Sequence, residues 1–279
     1  MHKIKSDLEL SLKEKSSAIL NTPPDNFDKF PEYKERYYEF LEQYNDLGKS
    51  KLAEYIVHRK IILEIFEKNL RIDSNDKYKL EKDIHELIHP MRTSSDEIGV
   101  FSRQDLWIID ERLTYHEYLS SDKPLSSIDG SNLNSPNKPD LLIMNNPMAF
   151  VPDQEQPYSS VVIVVFKRPM RDGYSASDNP IAQVYSYIEE LQSGKYIARE
   201  SGRLVSLREK TPFYAYIICD INSDIHKFSR HAGLKKTPDL QGYFGFNPEI
   251  DTYIEVLSFD KMINDSKQRN NVLFRTLGI

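Results

Sequence analysis

The sequence predicts an α/β (α+β) fold with an N-terminal α-helical region, on three observations. Before about Leu70 the apolar residues recur at helical spacing, whereas after Asp140 the segments read strand, strand, helix, strand. Of these strands, Val161–Phe166 is apolar at every position, as expected of a strand covered on both faces in the middle of a sheet. In chain order, Leu8, Leu10 and Leu12 lie in a polar opening stretch, and Asn21-Thr22-Pro23-Pro24-Asp25 breaks a first helix from a second. Tyr37, Phe40, Leu41 and Tyr44 form one stripe. Asp46-Leu47-Gly48-Lys49 then predicts a break before a third helix with Leu52, Tyr55, Ile56, Ile61, Ile62, Ile65 and Phe66 on its stripe. Residues 1–72 are thus expected to be a helical region and residues 73–279 the domain that holds the sheet.

Ser74-Asn75-Asp76 predicts the cap of a helix from Lys77 to His89, which Pro90 ends. Leu106–Tyr118 has mixed periodicity and is expected to be helical, and Ser120–Lys138 is a polar loop. Strands follow at Asp140–Met144 and Val161–Phe166. Asn179-Pro180 opens a helix over Ile181–Leu191 that Gly194 ends, and Pro212–Cys219 is a further strand. A turn of helix near His226–His231, strands at Gly242–Phe246 and Asp251–Ser258, and a helix over Lys261–Leu277 complete the chain.

A formal charge of −6 gives no overall pull toward nucleic acid, so such binding needs a local basic patch. The acidic excess lies before residue 160, and the part with the apolar strands is nearly neutral. One cysteine, Cys219, excludes an internal disulfide framework and a cysteine-rich zinc site, and points to a reducing cytoplasm. Its expected place is as a small apolar residue in the strand Tyr214–Cys219. No apolar run approaches the ~20 residues that cross a bilayer, so no membrane role is implied.

Chemistry concentrates in two stretches, Asn137-Lys138-Pro139-Asp140-Leu141-Leu142-Ile143 and Val161-Val162-Ile163-Val164-Val165-Phe166-Lys167-Arg168-Pro169. An aspartate leads one apolar strand and a lysine closes the next, the pair that metal-dependent phosphodiesterases place over a scissile phosphate. Residues two apart on a strand face the same way, so Val165 and Lys167 share a side with Ile163. Gln183 and Tyr187 are four apart on one helix face, and Tyr185 between them points elsewhere into packing. Asp140, Lys167 and the Gln183–Tyr187 pair resemble the PD-(D/E)xK nuclease superfamily, with the QxxxY element of its RecB-like branch. The resemblance runs from the helix after Ser74 to the C-terminus and is similar to Shedu-type and Hsp90-like-ATPase-associated nuclease domains of prokaryotic antiphage systems.

The resemblance implies a restriction-endonuclease-like mixed sheet flanked by helices. It implies Mg²⁺ or Mn²⁺ held by Asp140, Glu81 and the carbonyl of Phe166, with Lys167 steadying the attacking water or the phosphate. It also implies that Gln183 and Tyr187 orient that lysine or a phosphate. Arg168, Arg171, Lys195 and Arg199, with Arg203, Arg208 and Lys210, would bind the phosphate backbone of DNA. No glycine-rich ATPase signature is present, so an ATPase or other defence subunit would be a separate partner or an absent segment; a homo-oligomer is also compatible. The pattern has an acid two residues before its lysine, and this chain has Val165. Glu81, or Asp172, would have to supply the lost charge; otherwise the chain is a catalytically impaired nuclease-fold subunit that binds DNA or assembles with partners. A different class is suggested by His85-Glu86-Leu87-Ile88-His89, a match to the HExxH zinc-peptidase helix, with Glu111 and His116 downstream. Asp83 before it and Pro90 directly after it favour surface or capping histidines instead. Ser175, Ser177 and Ser201 have no histidine and acid at triad spacing.

Overall fold

A computed structural model describes residues 30–71, 80–95, 104–128, 130–144, 160–197, 204–205, 207 and 211–279. The stretches read above at Leu8–Leu12, Asn21–Asp25 and Ser74–Asp76 lie outside the described residues. The chain divides into two compact units: one reaches Ile61 and includes Leu273–Ile279, and the other, Ile62–Val272, holds the sheet.

Helix α1 (Phe30–Asn69) runs unbroken for 40 residues, which corrects the expected break at Asp46–Lys49. One glycine inside a helix costs about 1 kcal/mol relative to alanine. With no proline nearby, the good helix formers around Gly48 outweigh that cost. Helix α2 (Glu81–Ile88) begins where the Asp83 carboxylate accepts the Leu80 N–H at 3.0 Å, one half of a capping box. The region from Leu106 is also corrected: two 3₁₀ turns, Leu106–Ile108 and Glu111–Thr114, replace a helix. Asp110 stands extended between them and caps the second turn by accepting the Arg112 N–H. Strand β1 (Tyr118–Ser121), unanticipated, follows.

Seven strands form one mixed sheet in the order β1, β2 (Leu141–Met144), β3 (Val161–Phe166), β6 (Phe213–Ile218), β9 (Thr252–Leu257), β8 (Gly242–Asn247), β7 (Lys235–Lys236). β3, β6 and β9 run parallel, and each flank is antiparallel. A parallel neighbour needs a crossover, which helix α3 (Pro180–Ser193) supplies between β3 and β6. The short pair β4 (Tyr196–Ile197) and β5 (Leu204–Val205) forms a separate two-stranded ribbon within that crossover. Helix α4 (Ser223–His231) follows β6, and α5 (Phe259–Leu277) follows β9. This is a mixed sheet with flanking helices, in the α/β (α+β) class that the residue pattern predicts.

Every residue of β3 and β6 is buried. Val161, Ile163 and Val165 join Ala215, Ile217, Cys219, Ile254 and Val256 in the core against Val184, Ile188 and Leu191 of α3. Each Val, Ile or Leu among them contributes about 1.5–3 kcal/mol by leaving water. Helix α2 packs on β3 as well, where His85 lies against Phe166 with ring centroids 5.3 Å apart. Among the described residues no helix is long and apolar enough to cross a membrane.

Candidate active site

Asp140 precedes β2 by one residue and Lys167 follows β3 by one, so antiparallel pairing brings the head of one strand to the tail of the other. The Asp140 carboxylate accepts the Phe166 N–H at 2.7 Å, and its carbonyl accepts the Asp122 N–H at 3.0 Å. Lys167 is 7% exposed although it carries an amine. Its backbone N–H continues the sheet to the Ile218 carbonyl at 2.9 Å. The Lys167 amine donates to Gln183 Oε1 at 2.8 Å, Gln183 Nε2 donates to the Tyr187 hydroxyl at 2.7 Å, and that hydroxyl donates to the Lys138 carbonyl at 3.2 Å. This chain of bonds runs from the end of β3 across α3 to the loop that delivers Asp140. Burial, the largest cause, raises the pKa of Tyr187, so its phenol remains a donor through the neutral range.

Helix α3 is placed for this by its own ends. The Asn179 side chain accepts the N–H groups of Ile181 at 3.0 Å and Ala182 at 3.4 Å, Pro180 occupies the first helical position, and Gly194 closes the far end. Gln183 therefore sits in the first turn, one turn before Tyr187, and both face the end of β3. Tyr185 packs against the core.

Glu81, the first residue of α2, belongs to the same cluster. Burial raises its pKa most, the Asp140 carboxylate raises it further, and Lys167, Arg171 and the Arg168 N–H oppose the shift. A second carboxylate that raises the pKa of Glu81, beside a lysine, is the kind of setting in which a hard divalent cation is held. Among the described residues no group of three or more His, Cys, Asp or Glu side chains converges as a metal cage. Asp140 and Glu81 are two carboxylates, and one or two carboxylates with several waters is a set that Mg²⁺ accepts. Asp172 is exposed on the loop after Lys167.

Val165, on the same side of β3 as Lys167, packs against α3 and supplies no carboxylate. It is 1% exposed within the apolar core. Arg168 is exposed, and Arg171 is half-buried over the Tyr174 ring and paired with Asp178 at 3.2 Å. Lys195 follows the far end of α3, whose last residue, Ser193, lies about 15 Å along the axis from Gln183. Arg199, Arg203, Arg208 and Lys210 lie outside the described residues.

The HExxH segment does not present both histidines from one helix. Helix α2 ends at Ile88, and His89 is extended at φ −157° and ψ 140°. Its Nδ1 bonds the Pro90 carbonyl at 2.9 Å, and burial pushes its pKa down to about 4. His85 turns the other way, with Nε2 2.8 Å from the Ser121 hydroxyl and Nδ1 3.6 Å from Asp140 Oδ1. His116 bonds the Leu113 carbonyl through Nδ1.

Ser121, Asp220, Asn222 and Asp224 were not among the residues expected, and His85 was expected only as part of the zinc motif. Ser121 and His85 flank Asp140 from β1 and α2, and Asp220, Asn222 and Asp224 bind the backbone of the loop that carries Arg171. The string Asp220-Ile221-Asn222-Ser223-Asp224, just past a parallel strand, was the available signal, because side chains of this type bind loop backbone at such strand ends. A cavity of about 410 Å³ opens beside Lys167, bounded by Arg171, Asp178, Asn179, Gln183 and Tyr187. Comparison of the chain with family models, with curated proteins and with solved structures finds no match.

Proposed function

We propose that the chain is a metal-dependent DNA nuclease of the PD-(D/E)xK type, acting in the cytoplasm in prokaryotic antiphage or anti-plasmid defence. The observation that carries this reading is the Lys167–Gln183–Tyr187 chain closing on the loop before Asp140. Asp140 and Glu81, with the Phe166 carbonyl, would hold Mg²⁺ or Mn²⁺; when bound, such an ion polarises a phosphoryl oxygen and lowers the pKa of a water. Lys167, with one donor on Gln183 and others left by its three N–H groups, places a fixed positive charge where the phosphate gains negative charge. Arg168 and Arg171 neutralise neighbouring phosphates. The partners in this reading are DNA and a separate defence subunit such as an ATPase.

The buried Val165 favours a second reading, a nuclease-fold subunit that binds DNA or assembles without cutting it. One assay separates the two. Supercoiled plasmid is incubated with Mg²⁺ or Mn²⁺ and wild-type, Asp140→Ala or Lys167→Ala protein. Nicking by the wild type that both variants lose supports the nuclease, and cleavage kept by Asp140→Ala rejects it. Binding without nicking supports the second reading.

A further inference from the structure

The loop between β3 and α3 is fastened at three places by the segment that follows β6. Asp220 accepts the Met170 N–H, Asn222 Nδ2 donates to the Arg171 carbonyl at 3.0 Å, and Asp224 accepts the Tyr174 N–H at 2.9 Å. Met170 and Gly173 hold φ of 56° and 65°, a conformation costly for the methionine that these bonds maintain. Arg171 is thus rooted in fixed backbone, and its guanidinium lies 4.5 Å from the Tyr174 ring centroid. An arginine so held loses little freedom when it binds an anion.

The walls of the adjoining cavity are mostly polar, and its cations are Lys167 and Arg171. The amides at the start of α3 are already taken: Asn179 accepts from Ile181 and Ala182, and Pro180 has no N–H. An entering anion must be bound by side chains. Asp178 is the competing anion, 3.2 Å from Arg171 and 52% exposed, so it can return to water at small cost.

We propose that this cavity is a phosphate subsite for an unpaired nucleic-acid strand, with Arg171 as its principal ligand and Asp178 as the internal counter-ion that the phosphate displaces. The volume of about 410 Å³ is that of a small-ligand pocket, which matches one nucleotide unit of a single strand. The strand as source of the phosphate rests on the nuclease reading; the exchange of Asp178 for phosphate on Arg171 needs neither metal nor cleavage.

The test is binding of the full chain to a short labelled oligothymidylate in EDTA, followed by fluorescence anisotropy. Asp178→Asn should bind about five-fold tighter, as expected when an exposed ion pair is removed from the competition, and Arg171→Gln should bind more weakly than wild type. The double variant should show no gain over Arg171→Gln, and affinity for a blunt duplex should not change with Asp178→Asn. An unchanged affinity for Asp178→Asn, or a gain that persists in the double variant, overturns the exchange. If thymidine monophosphate competes with the same Asp178-dependent gain, the subsite belongs to free nucleotides and the strand is overturned. Loss of the Asp178 effect alongside Asp140-dependent plasmid nicking sinks the subsite alone. An Asp178 effect in a protein that nicks no plasmid supports the subsite and sinks the nuclease.

Discussion

At the scale of single residues, Asp140 has two separable duties: its carboxylate accepts the Phe166 N–H at 2.7 Å, and its charge acts on Glu81. Asp140→Asn keeps an acceptor for that N–H and removes the charge, whereas Asp140→Ala removes both. Asp140→Asn should unfold within about 1 kcal/mol of wild type in urea yet lose nicking, and Asp140→Ala should lose about 1.5–3 kcal/mol as well. An active Asp140→Asn would mean that the charge does not matter. His89 offers a pH test. Its folded pKa near 4 lies below an ordinary value of about 6.5, so the fold prefers the neutral ring. The contribution is complete above pH 6.5 and is lost as pH falls toward 4, to a limit of about 3 kcal/mol. His89→Gln, which can still donate to the Pro90 carbonyl, should narrow the drop in urea midpoint between pH 7 and pH 4.5; parallel curves for the two proteins would show that His89 is not the group. Asp140 and Lys167 were legible because each adjoins an apolar strand. The contact of His85 with Ser121 was not, since it joins residues 36 apart through packing that no local pattern encodes.

At the scale of elements, β3 and β6 were readable nearly to the residue because burial on both faces demands an unbroken apolar run. Helix α3 was equally clear, since Asn179-Pro180 and Gly194 act locally at its ends. Short elements escaped: β1 contains two serines and pairs with β2 in a four-residue register, and β7 has only two exposed lysines. Gly48 was misread as a stop because one weak residue in a helix of 40 does not decide its continuity. Within β3, Val165 is where strand packing and the expected chemistry conflict. Val165→Glu sets a carboxylate into the apolar core and should lower stability by several kcal/mol in metal-free buffer. If its carboxylate reaches the same ion as Asp140, Mg²⁺ should raise the urea midpoint of the variant more than that of wild type, because binding to the native state stabilises it by mass action. Equal indifference of both proteins to Mg²⁺ would place the Val165 position away from any ion.

At the scale of the whole molecule, the fold gathers cations at one end of the parallel strands on a chain whose formal charge is −6. Lys167 ends β3, Arg168 and Arg171 follow it, and the segment after β6 holds their loop, at the strand ends where open α/β sheets bind ligands. A net negative charge gives no general pull on a polyanion, so binding should be confined to this end and should release few counterions. Three phosphate contacts on a single strand predict a slope of log K against log salt of about −2, at roughly −0.7 per contact. A titration of the metal-free protein with oligothymidylate across a range of salt concentrations measures it directly. Arg171→Gln should make the slope shallower by close to one contact, and weaken binding evenly across strands of different sequence because phosphate contacts carry no base information. A slope of about −5 or steeper would show that the strand runs over a much broader basic surface, and the three cations at the end of β3 would then be only a small part of the interface.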